Sequence, residues 1–234
     1  MEGKLIVIEG TDCSGKETQT KKLLEKLNEN NIKTYYFSYP NYSSPTGKII
    51  GGPYLGKEEI GPCWFKEGAV KVDPYVSSLY YAADRKYNID SILHLLNNGS
   101  NVILDRYVYS NMAHQGSKLE SPLERKEIYH FLETLEFDLL KLPEPDIKVF
   151  LHMPNKYAMM LKKNRSSIDE HEKDENHLLK AEKTYIEIAD IYDFKTIECV
   201  SNDSIRPIED INNELFEYVL SRGFYNGNNC PSRE

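Results

Sequence analysis

The chain has 234 residues, with 40% hydrophobic and 28% charged residues and a formal net charge of -8. That composition is ordinary for a folded globular protein and excludes wholesale disorder and fibrous repeats. The negative charge and a pI near 5.4 oppose general adhesion to nucleic acid or anionic membrane, so any anionic ligand must meet locally clustered cations. The four cysteines, Cys13, Cys63, Cys199 and Cys230, lack metal-ligand spacing and the density of a disulfide scaffold, which points to a reducing cytoplasm. No apolar run approaches the ~20 residues of a membrane span, and the first ten residues do not read as a secretory signal.

In chain order, five short apolar or β-branched runs predict strands: Lys4–Glu9, Lys33–Ser38, Val102–Asp105, Ile147–His152 and Lys195–Val200. The segment after the first strand sets Leu23, Leu24 and Leu27 on one helical face and Lys21, Lys22, Glu25 and Lys26 on the other, so a helix there should pack on the sheet. Strands alternating with helices predict an α/β fold, a mostly parallel doubly wound sheet whose ligands bind beyond the carboxyl ends of the strands. No repeat or linker divides the chain, so one domain is expected over 1–222. Residues 51–72, a charged stretch near 164–176 and the tail from 223 interrupt the alternation and read as mobile excursions.

The run "KLIVIEGTDCSGKETQT" places a glycine-bracketed loop between a strand and a helix, the context in which such a loop binds phosphate. Gly10 and Gly15 allow tight turning and close backbone approach. The amides from Gly10 through Thr18, with Asp12, Cys13 and Ser14 between, form an anion-sized concavity, and Lys16 adds a point charge near terminal phosphates. Glu17 stands where such loops usually carry a hydroxyl for Mg²⁺. Adjacent helical residues diverge by about 100°, so Glu17 can face solvent while Thr18 and the amides hold phosphate. Mg²⁺ is then expected mainly on phosphate oxygens and water, helped by a carboxylate from Asp12, Glu17 or Asp105.

Five ordered segments, "IEGTDCSGKETQT", "SYPNYSSPTGKII", "DPYVSSLYYAADR", "DRYVYSNMAHQGSK" and "LPEPDIKVFL", resemble the thymidylate kinase family, most of all its bacterial forms. That resemblance implies a P-loop kinase fold with a five-stranded sheet between helical layers, and an ATP- and Mg²⁺-dependent phosphorylation of dTMP to dTDP. It also implies a homodimer, without nucleic-acid or membrane partners. Asp12 matches the residue contacting the sugar 3′-hydroxyl, and Arg106 the one near the transferring phosphoryl group, with Asp105 near the metal. Arg85 matches the arginine that holds the base edge or acceptor phosphate, and Tyr81 the aromatic stacking on thymine. Asn111 matches a base-reading position, His114 replaces a group crowding the ribose 2′ position, and Tyr39, Tyr42 and Gln115 complete the implied acceptor site.

Each role has a plain counterpart: Tyr81 as core, or Arg85 and Arg106 paired with Asp84 or Asp105. The chain also departs from the family. It carries Cys13, Glu17, Asn41 and Tyr42 where many relatives place an arginine. The missing charge is expected from a lid, with Arg165 closing as an arginine finger and Lys162 or Lys163 as reserve. Asp169, His171 and Glu172 resemble an acidic-His-Glu pattern of bacterial lids without specifying a metal. The competing readings are a related nucleoside or nucleotide kinase and a catalytically weak nucleotide-binding module.

Overall fold

The computed structural model describes residues 2–11, 13–162 and 175–224. Its main sheet holds five parallel strands in the order β2-β3-β1-β4-β5. They are β1 (Leu5–Gly10), β2 (Thr34–Ser38), β3 (Asn101–Asp105), β4 (Ile147–His152) and β5 (Lys195–Glu198). All five expected strands are present, with ends shifted by a residue or two. The last stops at Glu198 rather than Val200, and Val200–Ser201 instead pairs antiparallel with Ser204–Ile205 as a hairpin. Asn202 and Asp203 take φ of 51° and 56° there, as a two-residue turn of that hand requires.

Strand alternation divides the interior into two layers. Leu5, Val7, Val102, Leu104 and Phe150 face helices α3 (Pro74–Asn97), α4 (Val108–Gly116), α5 (Pro122–Glu133) and α7 (Glu175–Ile191). Ile6, Ile8, Ile103, Val149 and Leu151 face α1 (Lys16–Glu29) and α8 (Ile208–Ser221). Leu23 and Leu27 of α1 are fully buried in this second layer, as their spacing predicted. Each such side chain stabilises the fold by about 2 kcal/mol. Two shorter helices complete the element order: α2 (Pro45–Ile49) and α6 (Asn155–Lys162).

The segment 51–72, expected as a mobile excursion, is built around apolar contacts of its own. A π-helical turn, Ile50–Tyr54, buries Ile50 and Tyr54, which pack with Leu55, Ala69 and Val72. Tyr42, Phe65, Tyr80 and Tyr81 border that cluster. The expected lid at 164–176 falls mostly outside the described residues, as does the tail from 225.

Candidate active site

The strand registers bring one set of loops to one edge of the sheet. Ser38 lies beside Asp105, Ile8 beside Asp105, and Gly10 beside Leu151. Strand order reverses around β1, which opens a crevice at its carboxyl end. The turn after β1 enters it.

That turn has the conformation its glycines foretell. Gly15 has φ 77° and Cys13 φ 59°, so both sit in the left-handed region, where a β-carbon is disfavoured. At Gly10 space is the constraint, because a β-carbon would lie 2.8 Å from the Leu151 carbonyl oxygen. Lys16 is buried, and its Nζ donates to the carbonyls of Gly10 (2.8 Å) and Thr11 (3.0 Å). Thr11 Oγ1 donates to the Met153 carbonyl at 2.9 Å and so ties the loop to the end of β4. Among the described residues, Ser14 Oγ is buried without a partner. Glu17 points outward in an exposed ion pair with Lys21, four residues on, and Thr18 is exposed. Asp12 is outside the described residues.

Asp105 and Arg106 follow β3. Asp105 is 8% exposed; its Oδ1 is buried without a partner among the described residues, and its Oδ2 accepts from the Tyr36 hydroxyl at 3.4 Å. Arg106 adopts φ 69°, and its guanidinium donates to Tyr185 Oη (3.1 Å) and Ser110 Oγ (3.3 Å). Beneath it lies Glu9, whose carboxylate accepts the backbone N–H groups of Tyr107 and Ser110 and the Ser110 hydroxyl. Burial raises the Glu9 pKa above its ordinary value, while the Ser110 hydroxyl, Arg106, the Tyr107 amide and Lys16 favour the charged form.

Arg85, matched to the arginine that holds the base edge or acceptor phosphate, forms a buried ion pair. It is 2% exposed on α3 and grips Glu136 through both Nε and NH2. The ion pair weighed for it thus forms, but with Glu136 from the π-helical turn Thr134–Leu139 rather than with neighbouring Asp84. Asp84 anchors the loop after β2 instead. It accepts from the Asn41 amide (2.8 Å) and from the hydroxyls of Thr46 (2.7 Å) and Ser44 (3.1 Å). A carboxylate so occupied is no partner for Arg85.

The short helix α4 carries most of the remaining candidates. Asn111 donates to the Ser78 carbonyl and Glu136, but its Oδ1 has no partner. Gln115 is fully buried with neither amide atom partnered; the Ser78 and Tyr39 hydroxyls are likewise buried and unpartnered. Among the described residues these atoms form an excess of unmet polarity, which a fold keeps at a cost of about 1–3 kcal/mol per group unless a ligand or water meets it. Tyr81 lies edge-on to Tyr54 at 5.8 Å, and Lys57 Nζ sits 5.1 Å over the Tyr42 ring. His114 stacks on His177 of α7, with ring nitrogens 3.4 Å apart. A narrow cleft runs between the phosphate loop, His114 and helices α6 and α7.

Arg165, Lys163, Asp169, His171 and Glu172 lie outside the described residues, and of Lys162 only the backbone is described. Among the described residues no group of three His, Cys, Asp or Glu side chains is placed to hold a metal. Sequence reasoning missed Glu9, Glu136 and Tyr185, and weighed Asp84 only as an ion-pair partner. Glu9 had a signal, a lone charge within an apolar strand; Glu136 resembled the polar side of a surface helix.

A family model described as thymidylate kinase matches residues 8–215. The thymidylate kinase of Plasmodium falciparum is 32% identical over 220 residues, covering 93% of this chain and 90% of that relative. The Schizosaccharomyces pombe thymidylate kinase is 27% identical, covering 93% and 91%. The solved thymidylate kinase from Candida albicans superposes with a TM-score of 0.72 at 26% identity, covering 94% and 92% of the two chains.

Proposed function

Since the chain belongs to the thymidylate kinase family, and so uses ATP to phosphorylate dTMP, we propose that its two nucleotides meet over the phosphate loop and α4 with the following division of labour. The loop amides and Lys16 hold the donor phosphates. Arg106 meets the transferring phosphoryl group, and the positive potential at the start of α1 adds to both. The observation that carries the acceptor assignment is the set of buried, unpartnered amide atoms of Asn111 and Gln115 on α4. A base edge satisfies them, and a wrong edge leaves them unmet. Tyr81 supplies an aromatic face. Because Arg85 is engaged by Glu136, it acts as a buried donor at the base end of the site, and the acceptor phosphate falls to Arg106.

Mg²⁺ fits the oxygen donors present. Asp105 Oδ1 and Ser14 Oγ are buried oxygens without partners, suited to a hard cation or its waters. Glu17, paired with Lys21 in solvent, is not needed. When bound, Mg²⁺ offsets the charge shared between donor phosphates. No side-chain base is required, because a phosphate monoester is substantially dianionic near neutral pH, with a second pKa of about 6. Arg165 is the candidate cation of the lid, on sequence grounds.

The free thiols Cys63 and Cys199 suit a cytosolic setting, and no described helix is long and apolar enough to cross a membrane. A second copy of the chain is the proposed partner. Val76, Leu79 and Tyr87 leave α3 with an exposed apolar stripe, at 42%, 51% and 61% exposure.

A coupled ADP-release assay with dTMP, dUMP, dGMP, AMP, thymidine and deoxyguanosine tests the reading. The expected order puts dTMP first by kcat/KM. Faster turnover of AMP or a nucleoside would overturn it.

A further inference from the structure

Glu9 is the only charged residue of β1, in the sequence LIVIEG, and it is 1% exposed. Its Oε1 accepts the amides of Tyr107 (2.8 Å) and Ser110 (3.0 Å). These lie in the first turn of α4, where Tyr107 makes no side-chain cap of its own. A strand therefore caps a helix far from it in sequence. The other carboxylate oxygen accepts the Ser110 hydroxyl proton.

That last bond sets the direction of a chain of hydrogen bonds. With its proton committed to Glu9, Ser110 Oγ has only lone pairs to offer its other neighbours. Those neighbours are Arg106 NH1 at 3.3 Å and Tyr185 Oη at 2.8 Å. Arg106 NH1 also reaches Tyr185 Oη at 3.1 Å. Tyr185 cannot swing to compensate, because its ring stacks on Phe150 at 5.6 Å with planes 10° apart and meets His114 edge-on. Glu9 also directly precedes Gly10, so one carboxylate registers the phosphate loop against the arginine.

We infer that Glu9 is the positioning residue for Arg106: its carboxylate orients the Ser110 and Tyr185 hydroxyls so that both present acceptors to the guanidinium. This rests on the reading of Arg106 as the cation for the transferring phosphoryl group. A purely structural role, capping α4, would require only the two amide bonds at Oε1.

Glu9→Gln separates the two roles. Its carbonyl oxygen can still accept both amides, but its NH₂ now faces Ser110 Oγ as a donor, so the hydroxyl must turn and the chain reverses. The expected result is a fold of unchanged circular dichroism, a KM for ATP close to wild type, and a kcat reduced roughly tenfold to a hundredfold. In an Arg106→Ala background Glu9→Gln should lower kcat no further, since residues acting as one unit are not additive. Arg106→Ala with intact kcat would overturn the reading of Arg106. Arg106→Ala impaired but Glu9→Gln at wild-type kcat would overturn the positioning role alone. Should Glu9→Gln fail to fold, Ser110→Ala keeps the Oε1 bonds and removes only the relay; the same selective loss of kcat is expected, and unchanged kcat overturns the inference.

Discussion

Lys16 holds two carbonyl oxygens of its own loop, those of Gly10 and Thr11, so the ammonium is already stationed where phosphate arrives. Lys16→Met keeps the apolar stem and removes the charge, and should lower kcat by about a hundredfold or more with little change in melting temperature. Near-normal dTDP formation by the folded variant would remove Lys16 from the mechanism. Asn111 is the second such residue, with one amide nitrogen bound and its oxygen unmet. Asn111→Ala should cost about tenfold in the preference for dTMP over dCMP; an unchanged ratio of kcat/KM values would mean that another group reads the base. Both residues could be picked out from motif position, because a phosphate loop and the run after "DRY" place them within a few residues of a strand end. Arg85, in the middle of α3, was picked out through the family resemblance, yet its partner was not. Glu136 lies 51 residues away, and no local pattern joins the two.

At the scale of elements, the segment 51–72 departs furthest from expectation. Its glycines and polar residues suggested an open loop, but its apolar residues find one another and are stapled by Lys118. That ammonium donates to the carbonyls of Ala69 (3.2 Å) and Val72 (2.8 Å) and to the Ser77 hydroxyl (3.0 Å). Burial lowers its pKa from the usual 10.5 to about 7, against the pull of Asp73. The unfolded chain therefore binds more protons than the folded one between those two values, and this group's contribution to stability improves as pH rises through that window. Lys118→Met abolishes that contribution. Wild type should gain stability relative to Lys118→Met between about pH 7 and pH 10, followed by urea denaturation; a constant difference would mean that the native lysine titrates normally. Helix α4 takes its N-terminal cap from Glu9 on β1, a cap that only tertiary packing can supply.

For the whole molecule, the apolar stripe Val76, Leu79 and Tyr87 along α3 makes a homodimer the expected assembly. Light scattering should return about twice the 27.1 kDa chain mass, and Leu79→Asp should reduce it to that of a monomer. A wild-type monomer at working concentration would dismiss the interface. Strand identities, the phosphate loop, the burial of Leu23 and Leu27 and the family resemblance all followed from the order of residues, because periodicity and short motifs are local properties. The strand order β2-β3-β1-β4-β5 follows the parallel, doubly wound expectation in kind, but which strands neighbour one another is a matter of long-range pairing. The pairing of Arg85 with Glu136, the closing of the 51–72 segment on Lys118 and the reach of Glu9 to Arg106 through Ser110 were decided only on folding. Each joins groups distant along the chain, and the desolvation that makes such bonds obligatory exists only once the interior has closed around them.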